Sequence, residues 1–262
     1  MTAPPRRREL LQPGNAQVDV IVDGAGPAIV LLPSSQRDSE DFDDLAARLA
    51  AQGFQVLRPQ PRGMGRSSPP PADMTLATLA QDVALSIERL ASGPAVVVGH
   101  AYGHWVARVT DMNHPQLVRG VVVLGASAKV FPPGTAESLA IASDPSRPES
   151  DRIAALQKVM FAPGNDPRAW LAGWHPQLRA AYRQAGRQPP KEVWFNAANA
   201  PILDLQGDSD PWRPASTRNE LRDVLGDKVT VHVIANASHA MVPEQPAAIT
   251  QAIVAWVRTL QR

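Results

Sequence analysis

Short apolar runs alternate with segments of helical spacing along most of this chain. The run AIVLLP at 28–33 is almost continuously apolar, which is typical of a strand covered on both faces. The segment DFDDLAARLAAQG at 41–53 repeats Phe42, Leu45 and Leu49 at helical spacing and ends at a glycine. Further strands are predicted at 54–59, 95–99, 118–125, 201–207 and 228–235, and further helices at 74–93 and 246–260. This alternation predicts an α/β fold with a doubly wound, mostly parallel sheet.

One segment interrupts the alternation. Residues 131–200 contain helical patterns but no strand prediction of comparable strength, and they carry three of the six tryptophans. We therefore predict a helical cap at 131–200, inserted into a core that is formed by 1–130 and 201–262. An ordinary run of core helices is the alternative.

Composition and charge exclude several classes of function. The 262 residues are 44% hydrophobic, enough for a substantial core, and no cysteine is present to form disulfides or thiolate metal sites. With 26 basic against 25 acidic residues the net charge is +1, so we expect neither a nucleic-acid nor a membrane partner. Arg6, Arg7 and Arg8 are interpreted as a solvated terminus. Because no apolar run reaches the roughly 20 residues that span a bilayer and the N-terminus lacks a hydrophobic signal segment, we expect a cytoplasmic protein.

The stretch VVVGHAYGH at 96–104 predicts a strand, a sharp turn and a helix. Gly99 and Gly103 flank the turn, and small residues there allow the helix and the neighbouring strands to approach closely. Ala101 lies in the middle of the turn. The backbone N–H of Tyr102, at the N-terminus of the helix, is expected to point at the space above residue 101.

The order of motifs resembles the α/β-hydrolase fold superfamily over almost the whole chain. The matching pieces are LLPSSQRDSEDF, RPQPRGMGRSS, GHAYG, PILDLQGDSDPW and NASHAMVPEQP. The resemblance implies that Ala101 occupies the position of the nucleophilic serine and that His239 is the catalytic histidine. It implies Asp210 as the acid, with Asp208 as the alternative.

The oxyanion hole that the resemblance implies would use the N–H of Tyr102. The usual His-Gly after the third strand of the family is replaced by Pro33-Ser34, so Ser34 or Ser35 is expected to supply a hydroxyl donor. This second departure favours a natural Ala101 over a laboratory substitution.

The remaining site predictions concern the cap and metal binding. Because a cap must cover a cleft that is apolar in this family, we expect some of its side chains to line a pocket for a small molecule with an apolar or aromatic part; the expected lining residues are Phe161, Trp170, Trp174, His175 and Trp194. Packing within the cap is the alternative for each. His100 and His104 lack the glutamate of a zincin motif and a third ligand, so neither a metal nor another cofactor is expected.

Four interpretations of function remain open. In the first, His239 and Asp210 activate a water that attacks an ester, a lactone or a similar carbonyl; a displaced nucleophile among Ser34, Ser35, Ser127 and Ser238 is a variant of it. The second is an ordinary serine esterase inactivated by Ser→Ala at position 101. The third is a cofactor-free lyase or oxygenase that uses the same His–Asp pair, and the fourth is a non-catalytic binding protein for small molecules.

Overall fold

The fold is built on one mixed sheet. The computed structural model describes residues 6–12 and 14–260, and within them the sheet has eight strands. The strands are β1 (Arg7–Leu11), β2 (Val18–Gly24), β3 (Ala28–Leu32), β4 (Gln55–Pro59), β5 (Ala95–His100), β6 (Val118–Leu124), β7 (Ile202–Gly207) and β8 (Val229–Ile234).

The helices lie in the connections between these strands or follow the last strand. They are α1 (Asp43–Ala51), α2 (Leu76–Leu90), α3 (Tyr102–Asn113), α4 (Thr135–Ala142), α5 (Glu149–Val159), α6 (Arg179–Ala185), α7 (Lys191–Phe195), α8 (Glu220–Leu225), α9 (Met241–Glu244) and α10 (Pro246–Val257). No helix of the described residues is long and apolar enough to cross a membrane.

The strands lie in the order β1-β2-β4-β3-β5-β6-β7-β8. The pairs β1–β2 and β2–β4 are antiparallel, and all the other neighbouring pairs are parallel. The central strands β3, β5 and β7 are buried along their whole length, because helices cover both faces of the sheet. The predicted α/β fold with a doubly wound, mostly parallel sheet is confirmed.

Two apolar layers hold the helices against the sheet. On one face α2 and α3 bury Leu79, Val83 and Val109 against alternate residues of the strands. On the other face α1 and α10 bury residues such as Leu49 and Ile253. The carboxyl ends of the parallel strands are therefore left free between the layers, where loops can carry functional side chains.

The first two strands were absent from the sequence prediction. Acidic residues interrupt the apolar run of β2, but Asp19 and Asp23 are buried and accept hydrogen bonds from arginines, Arg8 and Arg58 among them. The three arginines of the basic run are exposed, as their interpretation as solvated side chains requires, but they are ordered. Arg7 and Arg8 lie in the edge strand β1, and all three arginines of the run form ion pairs with acidic side chains.

The segment 131–200 contains four helices, α4 to α7, and no strand. It leaves the sheet after β6 and returns to it at β7. The division into a core at 1–130 and 201–262 and a cap at 131–200 stays a prediction, and its outermost residues 1–5, 261 and 262 lie outside the described part.

Candidate active site

The turn between β5 and α3 is strained. Ala101 has φ +46° and ψ −116°, a backbone conformation that costs a non-glycine residue about 1–3 kcal/mol. The two flanking glycines are required by close packing: a Cβ on Gly99 would lie 2.3 Å from the backbone of Gly103, and one on Gly103 would lie 2.3 Å from the carbonyl oxygen of Leu32. The amide of Tyr102 is in the first turn of α3, where the helix itself provides no acceptor.

His239 and Asp210 come together at the carboxyl ends of the strands. Asp210 follows β7 and His239 follows β8, and Nδ1 of His239 lies 3.1 Å from Oδ2 of Asp210. The other carboxylate oxygen of Asp210 accepts the backbone N–H of Trp212 at 2.8 Å. The indole of Trp212 stacks on the imidazole, with ring centroids 5.0 Å apart. Both residues of the pair are buried, so the ring is fixed with Nδ1 toward the carboxylate and Nε2 left for other chemistry.

Asp208, the alternative acid, makes different contacts. Its carboxylate is exposed and accepts hydrogen bonds from the backbone N–H groups of Asn236 and Ala237 and from the hydroxyl of Ser209. These contacts hold the loop that leads to His239, and Asp208 makes no hydrogen bond to the imidazole.

His100 supports the loop of His239 from below. Burial, together with the neighbouring His239, lowers the pKa of His100 to about 3, so its ring is neutral near neutral pH. Its Nε2 lies 2.7 Å from the carbonyl oxygen of His239, and because a carbonyl can only accept, Nε2 carries the proton. The last residue of β5 is thereby joined directly to the histidine loop.

Glu244 holds the same loop from the other side. Its carboxylate accepts the backbone N–H of Ser238 at 2.7 Å, the N–H of Ala162 at 2.6 Å and the side-chain amide of Asn165 at 2.8 Å. Burial raises the pKa of Glu244, and these hydrogen bonds oppose that shift. The carboxylate therefore ties the histidine loop to the segment that follows α5.

A cavity of about 510 Å³ opens above the turn, a size suited to a small organic ligand. Ala101, Tyr102 and His239 line it together with Ser34, Ser35 and Ser127. Apolar side chains make up much of the remaining lining: Trp105, Phe131, Ala136, Leu139, Met160 and Trp212. Ser238, by contrast, is buried, and its hydroxyl donates to the carbonyl oxygen of Ser209.

The loop after β3 has its own strained residue. Gln36 has φ +64° and lines the cavity, and its side-chain oxygen is buried without a hydrogen-bond partner among the described residues. Its carbonyl accepts the backbone N–H of His175 at 2.9 Å, and Nε2 of His175 lies 3.3 Å from Asp38. His175 thus packs behind this loop and is not part of the cavity wall.

The cap aromatics that were expected to line the pocket lie elsewhere. Trp170 and Trp174 meet nearly at right angles, and both contact the guanidinium of Arg37, whose carbon is 4.7 Å from the centroid of each ring. Arg37 is itself buried and also binds the carboxylate of Asp41 and the carbonyl of Ala172. The two indoles are therefore used to hold a buried cation.

Phe161 and Trp194 are also outside the cavity lining. Phe161 packs its ring against the edge of Trp170, with centroids 6.0 Å apart. Trp194 is 1% exposed and packs on Trp105 of α3 and on His104, whose pKa burial lowers well below its usual range. Large aromatic side chains bury so much surface that packing takes precedence over exposure to a ligand.

Sequence reasoning missed three arginines of the cavity. Arg179, Arg183 and Arg187 line it, and their regular spacing in LRAAYRQAGRQ was the available signal. Within the described part of the chain, no group of three or more His, Cys, Asp or Glu side chains is placed to hold a metal ion.

Comparison with known families identifies the family of the chain. The profile of the α/β hydrolase fold family matches residues 27–200. The chain therefore belongs to the α/β-hydrolase fold family.

Relatives of known name match part of the chain. Pyrrolizixenacetamide deacetylase of Xenorhabdus hominickii is 31% identical over 113 residues, which cover 43% of this chain and 42% of the relative. Zearalenone hydrolase of Bionectria ochroleuca is 26% identical over 191 residues, which cover 70% of this chain and 69% of the relative. The chain thus spans well under half of the length of the deacetylase.

Solved structures resemble the whole fold. An esterase of Thermogutta terrifontis superposes with a TM-score of 0.77 at 20% identity, over 96% of this chain and 98% of that one. At this identity the likeness concerns the fold alone.

Proposed function

We propose that this protein is a hydrolase that cleaves an ester, a lactone or a similar carbonyl compound of small size. The observation that carries the proposal is the position of His239, whose Nδ1 faces Asp210 while the ring lines the same cavity as Ala101. An imidazole held in this way by a carboxylate leaves Nε2 free to accept a proton from a bound water.

Ala101 is proposed to stand where other members of the family carry the nucleophile. The φ of +46° and the two glycines that pack against their neighbours support this assignment. Its methyl group cannot form an acyl-enzyme, so the proposed nucleophile is a water molecule in the space above it.

The proposed reaction needs only residues of this chain, a water molecule and the substrate. Nε2 of His239 takes a proton from the water as its oxygen attacks the carbonyl carbon, and Asp210 stabilises the imidazolium that results. The oxyanion that forms is held by the N–H of Tyr102 and by a donor from Ser34 or Ser35. The intermediate then collapses, the bond to the leaving group breaks, and the imidazolium returns its proton to that group.

The rate enhancements expected from these groups are large enough for this reaction. General base catalysis contributes roughly 10²–10⁴ in rate, and one oxyanion donor contributes about 10²–10³. The names of the two relatives, a deacetylase and a hydrolase, add support for cleavage at a carbonyl group.

The test compares three proteins on a panel of esters and lactones: the parent protein, His239→Ala and Ala101→Ser. We expect the parent protein to turn over at least one of these substrates and His239→Ala to lose about 10²-fold or more of that activity. A fluorophosphonate probe should leave the parent protein unlabelled. His232→Ala is the matched control, because this histidine lies exposed on β8, and it should keep full activity.

Each of the other interpretations of function predicts a different result in this test. Strong esterase activity that appears only in Ala101→Ser would identify an inactivated serine esterase. Fluorophosphonate label on Ser34, Ser35 or Ser127 would identify a displaced nucleophile, and turnover that requires dissolved oxygen would identify an oxygenase. Ligand binding that survives His239→Ala, with no turnover by any of the proteins, would identify a binding protein.

A further inference from the structure

Three arginines form a basic wall on one side of the cavity. Arg179 and Arg183 lie on α6, Arg187 follows two residues after its end, and all three are exposed. Positions four apart on a helix share one face, so the side chains of Arg179 and Arg183 are neighbours. This group is called the arginine wall below.

The arginine wall is fixed beside the turn at Ala101. Tyr182, between the first two arginines, is buried and donates its hydroxyl to the carbonyl oxygen of Arg62 at 2.9 Å. The hydroxyl of Tyr102 in turn donates to the carbonyl oxygen of Tyr182 at 3.0 Å. Gly186 packs so closely on Trp105 that a Cβ there would lie 2.9 Å from the indole. The segment that carries the arginines therefore rests directly on the first turn of α3.

The charges of the arginine wall are not matched by the protein. The side chains of Arg179 and Arg183 have no hydrogen bond or ion pair among the described residues, and the side chain of Arg187 has one long hydrogen bond of 3.5 Å to the side chain of Gln184. The residues that line the cavity include no aspartate or glutamate within the described part of the chain. Arg62, which is buried, is by contrast paired with an acidic side chain. It donates hydrogen bonds to both carboxylate oxygens of Asp82.

Three neighbouring guanidinium groups repel one another, and a cleft of low polarity strengthens their field. A guanidinium presents two parallel N–H donors, which fit a carboxylate or a phosphate. The cavity lining also includes apolar side chains such as Phe131 and Leu139. The cavity is therefore complementary to a molecule with an anionic end and a hydrocarbon body.

We propose that the arginine wall binds a carboxylate or phosphate group of the substrate. The substrate class is then an organic anion whose reacting carbonyl lies at His239 while its acid group lies at the arginines. The position of the reacting carbonyl rests on the proposed hydrolase function; the binding of the anion does not.

The first experiment measures hydrolysis of two matched esters, mono-p-nitrophenyl adipate and p-nitrophenyl hexanoate, which differ in a terminal carboxylate. We expect KM for the adipate ester to be about tenfold or more below that for the hexanoate, as hydrogen bonds to a charged group allow. A variant with all three arginines of the wall changed to glutamine should lose this preference, because KM for the adipate ester rises to that for the hexanoate.

The matched control removes three exposed arginines outside the cavity. It carries glutamine at Arg89, Arg147 and Arg222. Both triple variants lower the formal net charge of +1 by three, so a general electrostatic effect would appear in both. Equal KM values for the two esters, or the same loss of preference in both variants, would overturn the proposal while leaving hydrolysis intact.

The second experiment needs no catalysis. Calorimetry compares the binding of 4-phenylbutyrate, 4-phenylbutyl phosphate and neutral 4-phenylbutanol to the parent protein. Tighter binding of either anion than of the alcohol, lost in the arginine-wall variant and kept in the control, supports the proposal even if no ester is hydrolysed; the tighter of the two anions identifies the acid group. Equal binding of all three compounds would refute it.

Discussion

Replacement of His100 by glutamine tests how the histidine loop is held. The imidazole donates to the carbonyl oxygen of His239 at 2.7 Å, and burial lowers its pKa to about 3. An imidazole in an unfolded chain has a pKa of about 6.5. Between these two values the unfolded chain binds a proton that the folded protein does not. The stability contributed by the neutral ring is therefore fully present above about pH 6.5 and is lost as the pH falls toward 3.

The size of the effect follows from the two pKa values. Each pH unit inside this window costs about 1.4 kcal/mol of unfolding free energy for one proton. Between about pH 7 and about pH 4.5 the expected loss from His100 is about 2.5 kcal/mol. The amide of a glutamine at position 100 can donate to the same carbonyl but does not titrate. His100→Gln is thus less stable than the parent near neutral pH, through lost packing on Trp170, and this difference shrinks by about 2.5 kcal/mol on acidification.

The assay is urea unfolding followed by tryptophan fluorescence at a series of pH values. His232→Gln, which removes an exposed histidine of β8, is the control and should follow the parent at every pH. Parallel stability curves for the parent and His100→Gln would refute the assignment of His100 as a buried neutral donor.

Three further changes have expected outcomes. Ala101→Gly should raise stability by about 1 kcal/mol in urea unfolding, because glycine adopts this φ without strain; a loss of stability would contradict the argument from strain. Glu244→Ala removes the acceptor of two backbone amides and of the Asn165 side chain, and should cost about 2–4 kcal/mol in the same assay, with Glu244→Gln closer to the parent. Gly103→Ala should lower the melting temperature strongly, since its Cβ would lie 2.3 Å from the carbonyl oxygen of Leu32; an unchanged melting temperature would show that the backbones can separate.

The parallel part of the sheet could be predicted from the sequence because its central strands, such as β3 and β5, are almost continuously apolar. The two antiparallel strands were missed for a physical reason: β2 buries Asp19 and Asp23, and their arginine partners are distant in sequence. Periodicity records only which residues are apolar, so it cannot detect a buried ion pair between segments that the fold brings together.

Only part of the candidate site could be predicted from the sequence. His239 and Asp210 lie in loops directly after strands, where motif order was informative. The side chains of the cap could not be assigned from sequence, because an indole that faces a ligand and one that packs on Arg37 have the same composition and spacing. The arginines of α6 and of the residues after it had a regular spacing in the sequence. Only the fold, which joins this segment to Tyr102 through Tyr182, shows that they border the cavity.

The proposed base does not need a serine to fix its position. In a serine hydrolase the hydroxyl of the nucleophile supplies one hydrogen bond to the imidazole, and Ala101 supplies none. Here the ring is held by the carboxylate of Asp210, by the indole of Trp212 and, through its own backbone, by His100. Because these contacts come from two separate segments of the chain, the loop after β7 and the end of β5, the orientation of Nε2 is determined without a hydroxyl at position 101. A base already oriented over an apolar corner has only to bind and activate water there, which is the step that the proposed reaction requires.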